Sequence, residues 1–338
     1  MEIVGGGMVH VYEAVDEGPH ASGPQELWQE SVFLLWWDLK QGIGGFYRIG
    51  HETNHATGPM IALWSSTFSP QGHYKKTTYL PLREEDRLPN GFGSGEGTVR
   101  YTYDGQCVWT IEDEDIAATL RVHDFHPSID CYPKKGQLSE FAPHHMEVAG
   151  RVTGPLRMKG VDYQVDALCF RDHGWGERAW HTLLSHRWLA GVFGPELSIC
   201  AISWHSIDDV LVQFGWIVRD DKVIYAKHVD IVAYVECDAM TTRGGHLAMT
   251  LTTGEQLDVD FTPLAPSAMS FVHGIACVDT LSRITCGDKI GIANFETTHN
   301  GQGGKRRPAK LSRGFIENGW HPATPAAADA ADASRQKR

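Results

Sequence analysis

Residues 170–178 read Phe-Arg-Asp-His-Gly-Trp-Gly-Glu-Arg. Arg171, Arg178, Asp172, Glu177, His173 and Trp175 all fall inside this one short stretch. Charged groups set so close together need each other as partners. A proton donor among them would have its pKa tuned by its neighbours. The pattern therefore suits acid–base chemistry, and it equally suits a structural Arg–Asp knot closing a barrel rim. The run before it, Val161 to Phe170, reads as a strand. Gly174 and Gly176 let the backbone bend, so the cluster stands where a strand ends or bulges, a place where side chains are often re-aimed toward active sites.

A second group lies near the N-terminus. Trp36-Trp37-Asp38 ends an apolar strand on an acid. In Gly44 to His55, Phe46, Arg48 and Gly50 alternate onto one face. An arginine inside an apolar strand needs an acceptor, and Asp38 or Glu52 is the expected one; the plain alternative is a cross-strand salt bridge of structural value. His51 and His55 have the i, i+4 spacing that serves zinc on a helix, but Asn54 and Gly58 indicate a loop, so no metal site is expected there. His144, His145, His123 and His126 read as strand-end or turn histidines. Trp175, Trp180, Trp188, Trp204 and Trp216 form an aromatic set in the second half, mostly core. Trp175, Trp204 and Trp216 are the members expected to line a pocket, with His205 beside them, since small-molecule sites combine apolar walls with a few polar groups. Glu296 shares a face with Asn294 and Ile292, so it reads as a rim charge, where most acids sit, with a pocket acid as the alternative.

The elements that must position these residues are strands. Thr98 to Tyr103, Asp104-Gly105 and Cys107 to Ile111 spell a hairpin. Similar runs are Met146–Val152, Leu197–Trp204, Val210–Val218, Val223–Val235, His246–Thr252, Met269–Val278 and Lys289–Phe295, separated by turn residues. With 36 glycines and only two short helical candidates, Pro24 to Ser31 and Glu84 to Leu88, the chain reads as all-β. A closed barrel or a sandwich is then needed to bury the apolar faces. A boundary is placed near Gly150, after a polar, turn-rich passage, giving an N-terminal β-domain over 8–150 and a C-terminal one over 151–321. Residues 322–338, poor in large apolar side chains, are expected to be a disordered tail.

Composition narrows the function. A net charge of -12 from 42 acids and 30 bases argues against nucleic acid or an anionic membrane surface as partner. No apolar run is long enough to cross a bilayer, and no signal peptide is evident. Seven cysteines without a CxxC pair read as buried free thiols in a reducing, cytoplasmic setting. There is no P-loop and no GxSxG, so hydride and phosphoryl transfer are not expected.

At Arg171-Asp172-His173-Gly174-Trp175-Gly176-Glu177-Arg178 the chain resembles the hydroxyneurosporene synthase (carotenoid 1,2-hydratase)-like superfamily, which includes kievitone-hydratase-like proteins and fungal Diels–Alderase relatives. The likeness extends to Val152-Thr153-Gly154-Pro155 and Gly160-Val161-Asp162-Tyr163, the strand leading into an "RDHSWG"-type motif in which Gly174 here replaces the usual Ser. Gly45-Phe46-Tyr47-Arg48-Ile49-Gly50 resembles bacterial members, and the resemblance spans about residues 25 to 300. It implies two tandem lipocalin-like antiparallel β-barrels. It also implies water addition to isoprenoid double bonds or cyclisation, without metal or organic cofactor. On this basis the chain is expected to be a lyase or isomerase acting on a hydrophobic, isoprenoid-like small molecule. Asp172 and His173 would be the acid–base pair, and Arg171 and Arg178 would orient Asp172 or bind a substrate oxygen. Trp37, Asp38, Arg48, Trp175, Trp204, His205 and Trp216 would contact substrate. The alternatives are a non-catalytic carrier holding a hydrophobic ligand inside such a barrel, and a metal-dependent hydrolase using the histidines. The sequence is silent on oligomeric state.

Overall fold

The computed structural model describes residues 2–4, 10–132, 143–208, 210–300, 311–312 and 315–316; the expected tail over 322–338 lies outside them. The described residues are 69% strand and 4% helical, as the all-β reading requires. The strands form two large sheets.

The second sheet is a closed eight-stranded barrel. Its strands run in sequence order: Leu183–Gly194, Leu197–Ser206, Leu211–Arg219, Lys222–Val235, Thr242–Leu251, Gln256–Pro263, Ile275–Cys286 and Lys289–Asn300, the last pairing back onto the first. Its interior is packed solid with apolar side chains such as Leu189, Ile217, Met249, Phe261 and Phe295.

The first sheet is curled but open. Its order is Gly72–Pro81, Met60–Ser69, Ile43–Glu52, Trp28–Asp38, Val161–Glu177, His144–Met158, Ile116–Asp124, Cys107–Asp113, Val99–Tyr103, Gly91–Gly93 and Arg87–Leu88. The two tandem lipocalin-like barrels read from the sequence are this curled half-barrel and the closed barrel. The curl stops short of closure where the end strands carry Pro81 and abut Pro89, residues with no N–H to give a ladder.

Alternation explains the layering. In Trp28–Asp38 every residue is buried, because successive side chains point to opposite faces. Val32, Leu34 and Trp36 enter the concave core of the curled sheet. Phe33, Leu35 and Trp37 enter a second core shared with Trp188, Ala190 and Val192 on the outer wall of the barrel. The two sheets are thus held face to face by an apolar seam.

Two local readings are corrected. Pro24 to Ser31 is not helical; a turn leads into a strand beginning at Trp28, and the alternation of Trp28 to Asp38 overrides the helix-like start. Residue 150, placed at a boundary, lies inside the strand His144–Met158; the chain passes from one sheet to the other between Glu177 and Leu183. The polar passage before it leads into an internal strand of the first sheet. The hairpin at Gly105 forms as read, with Gly105 at φ 72°.

Candidate functional site

Register builds a site at the seam. On the first sheet one cross-strand row runs Glu147, Asp172, Phe33, Arg48, Trp64. The next row on the same face runs His145, Gly174, Ser31, Gly50, Ala62. Facing them, the barrel offers Phe214, Ile202, Trp188, Glu296, Asp279 in one row and Trp204, His186, Thr298, Cys277 in the next. Between the rows lies a pocket lined by side chains of both sheets, and small-molecule sites likewise combine apolar walls with a few polar groups. Phe33, Trp64, Trp180, Trp188 and Trp204 form aromatic walls, and Arg48, Asp172, Arg178, His145, His186 and Glu296 are its ionisable groups.

Each sheet brings a pair of titratable groups to the pocket, His145 with Asp172 and Glu296 with Asp279, of which Asp279 lies behind the lining. On the first sheet His145 Nε2 lies 3.6 Å from Asp172 Oδ2, and Tyr132 Oη lies 3.4 Å from His145 Nδ1. On the barrel Glu296 sits directly across the strand pair from Asp279. Thr298 Oγ1 donates to Glu296 Oε1 at 3.0 Å, and Asn294 Nδ2 donates to Asp279 Oδ1 at 2.7 Å. Burial, then the charge of Asp279, pushes the Glu296 carboxyl up to about 8. Burial likewise pushes Asp279 up to about 7. Two like charges side by side in a dry site cannot both ionise, so the pair keeps a proton at neutral pH. His186 Nδ1 is 2.7 Å from Thr298 Oγ1, and burial pushes its pKa down to about 3, leaving a neutral imidazole beside the acid.

Arg48 is the second unusual group. It is 5% exposed, its guanidinium lies 4.4 Å over the Trp64 ring, and neither Nη1 nor Nη2 has a hydrogen-bond partner. The expected acceptors are engaged elsewhere. Asp38 binds the amides of Lys40 and Gln41 in its own turn, and Glu52 Oε2 accepts from Tyr79 and lies 3.0 Å from His273. Burial, then the nearby charge of Arg178, lowers the Arg48 pKa to about 10. Arg178 lies over Trp180 at 5.8 Å and packs against Gly174, where an added Cβ would stand 2.5 Å from Arg178 Nη2.

The motif at 170–178 is split by its own alternation. Asp172 points into the seam, and Arg178, past the strand end, reaches the same pocket. Arg171 and His173 point the other way. Arg171 makes a two-pronged ion pair with Glu17 at 2.7 and 2.8 Å and another with Asp124 at 2.7 and 3.0 Å. His173 Nε2 lies 2.9 Å from Glu30 Oε1. Trp175 is stacked between His20 and His144 on that same side. These three face away from the pocket that Asp172 and Arg178 line.

The remaining expectations divide similarly. Trp204 lines the pocket. Trp216 is wholly buried in the seam core, donating from Nε1 to Cys131 O at 3.3 Å. Trp37 packs in that core against Phe68. Asp38 closes a turn, and His205 alternates away from Trp204 and is not among the pocket-lining side chains. Glu296, expected on a rim, is a pocket acid, and His145, read as a strand-end residue, does begin its strand but also faces the pocket. Asp279 and His186 were not singled out at all.

Three clusters among the described residues bring possible metal-ligand atoms within 4.8 Å of one another: His20, Glu30 and His173; Glu52, His55 and His273; and Cys131, Glu147 and Cys200. The sequence pair His51 and His55 is not one of them. His51 Nε2 is taken by Gly93 O at 2.8 Å on the concave side, whereas His55 lies beside His273. Of the seven cysteines, none is in a disulfide, and Cys107, Cys131, Cys169, Cys200 and Cys277 are buried. No helix among the described residues is long and apolar enough to cross a membrane.

A closed barrel set against a curled sheet makes this chain similar in fold to kievitone hydratase from Nectria haematococca: TM-score 0.63 at 10% identity, covering 86% of this chain and 93% of that one. A putative AttH from Nitrosomonas europaea shares it with TM-score 0.62 at 14% identity, covering 82% and 95%. CghA in complex with Sch210972 follows at TM-score 0.55 and 10% identity, covering 81% and 88%. At such identities the likeness establishes the fold. The chain itself belongs to the family described as "Domain of unknown function (DUF7064)", whose model matches residues 13–301. No curated protein matches it by sequence.

Proposed function

We propose that the protein is a lyase or isomerase of the hydratase, dehydratase or cyclase type, working by side-chain acid–base chemistry on a small, largely apolar molecule held between the two sheets. The observation that carries this is Glu296, a carboxylic acid kept protonated near neutral pH by burial and by Asp279, opening onto an aromatic pocket. Such a group is a general acid matched to its working pH. Across the pocket Asp172 with His145 is the proton acceptor. The aromatic faces of Trp64, Trp180, Trp188 and Trp204 stabilise positive charge developing on carbon. In this reading His145 replaces His173 as the partner of Asp172, Glu296 is added as the acid, Arg178 stays at the pocket to bind a substrate oxygen, and Arg171 has no part in it. That one fold neighbour is a hydratase by name, and that another was solved with the small molecule Sch210972, supports the class of chemistry. The carrier reading is disfavoured by the side chains that fill the barrel interior.

The test uses the small molecules extracted with the purified chain and identified by mass spectrometry. Incubated with the protein in D2O, a substrate gains deuterium at carbon or is converted. Glu296→Gln and Asp172→Asn slow this by about two to four orders of magnitude, the scale of general acid–base catalysis. A ligand that stays bound, unconverted and undeuterated would mark a carrier and end the enzymatic reading.

A further inference from the structure

Resting on the seam pocket as the ligand site, we infer that its ligand carries an anionic oxygen group, a carboxylate conjugated to a flat apolar body, and that Arg48 with Gln29 receives it. Three donors meet here without acceptors. Arg48 Nη1 and Nη2 are buried and unbonded. Gln29, 2% exposed, accepts through Oε1 from Trp180 Nε1 at 3.0 Å. The indole N–H is donor-only, which fixes the amide orientation and leaves Gln29 Nε2 as a second buried donor with no partner.

The three nitrogens converge over bare backbone. A Cβ on Gly50 would stand 2.8 Å from Arg48 Nη1, 3.1 Å from Nη2 and 2.9 Å from Gln29 Nε2. Gly50 has no positive φ, so its lack of a side chain is explained by this close approach and not by backbone conformation. A buried guanidinium with no hydrogen-bonded acceptor is costly to the folded state. A carboxylate meets it with the two-pronged geometry arginine is built for. Trp64, over which the guanidinium is stacked, and Phe33, its cross-strand neighbour, supply the flat apolar surface beside it. The acid–base groups on the barrel side then face the ligand's conjugated body, where a carboxylate-linked double bond is polarised for proton transfer.

The experiment is a binding titration, read by quenching of the pocket tryptophans. The probes are cinnamate and 1-naphthoate, each against its neutral methyl ester. Wild-type protein is expected to prefer the acids at least tenfold. Arg48→Met abolishes the preference, and Gly50→Ala, which keeps the charge but fills the space before it, weakens acid binding severalfold. Arg48→Met is also expected to melt at or above the wild-type temperature, because it removes a buried charge without orphaning a partner. Equal binding of acid and ester by wild type, binding of neither, or a preference that survives Arg48→Met overturns the proposal. Glu296→Gln separates the two readings. It is expected to keep the acid preference while losing deuterium exchange; if exchange persists in it while Arg48→Met loses the preference, only the catalytic reading falls.

Discussion

Glu296→Gln is the sharpest probe of the site, because it tests the proton on the acid without any knowledge of the substrate. The folded-state pKa of Glu296 is raised from 4.5 to about 8. Above the unfolded value the native state therefore holds a proton that the unfolded chain has lost, and stability falls as pH rises toward the folded pKa. Gln cannot ionise and is free of this term. The histidines with depressed pKa values, His186 at about 3 and His299 at about 4, act in the opposite sense below the unfolded His value, where stability drops as pH falls. The clean window is therefore pH 6.5 to 8, and comparing variant with wild type cancels what the histidines contribute. One proton of difference is worth about 1.4 kcal/mol per pH unit, so wild type should lose about 2 kcal/mol relative to Glu296→Gln across that window. Asp279→Asn supplies the control. Directly opposed residues on paired strands lie about 5 Å apart, and two charges at that distance in an effective dielectric near 20 repel by about 3 kcal/mol, or about two pKa units. The Asp279→Asn protein should show the Glu296 titration moved down by about that amount. Urea unfolding at pH 6.5, 7.25 and 8 measures both, and infrared difference spectra show the protonated carboxyl at pH 7. Parallel stability curves for wild type and Glu296→Gln would refute a shared proton, and with it the general acid.

Three further outcomes are expected. Asp172→Asn should change unfolding free energy by less than about 1 kcal/mol, because Asp172 makes no ion pair with arginine among the described residues and its contact with His145 is 3.6 Å long; a large loss measured by urea unfolding would make it structural. Arg171→Met should cost about 3–5 kcal/mol, the scale for stranding a buried partner such as Glu17, read from the same unfolding curves; a stable variant would remove its structural role. Gly174→Ser puts a Cβ 2.5 Å from Arg178 Nη2, so the arginine must swing aside. Ligand affinity should change severalfold while the melting temperature moves little, and unchanged binding would show that Arg178 does not contact the ligand.

Strand content and the seam's aromatic character were legible in the sequence, because alternation and turn residues are local signals. The split of the 170–178 motif was legible too, since a strand continuing through it must send Arg171, His173 and Trp175 one way and Asp172 and Gly174 the other. Treating the cluster as one unit at a bend hid this. The strand Leu183–Gly194 was harder to see. It is apolar on both faces, as a strand between two cores must be, so its His186 and Trp188 show no contrast with their neighbours. Glu296 was placed on a face correctly, but its burial depends on the curled sheet packed over that wall, which no local pattern announces. Arg48 stood out as an arginine in an apolar strand, but that its guanidinium lacks an acceptor, and that Asp279 lies opposite Glu296, are legible only through register, which is set by pairings across long sequence separations.

The position of the pocket follows from how the two sheets spend their faces. The barrel's interior face is filled by aliphatic and aromatic side chains, and the concave face of the curled sheet is filled by its own core and by the Arg171–Glu17 pair. Only the apposed outer faces bring side chains from two sheets that can be varied without opening a core. The apolar rows at one end of the seam hold the sheets together through Trp37, Val192 and Trp216. The polar rows at the other end then stay buried without being fully satisfied. Arg48, Asp279 and Gln29 each keep a buried polar atom with no partner, and all three sit at or beside this pocket. Orphaned groups of this kind cost stability, and a polar-headed, flat ligand seated beside Arg48 and Gln29 would satisfy the ones that meet there.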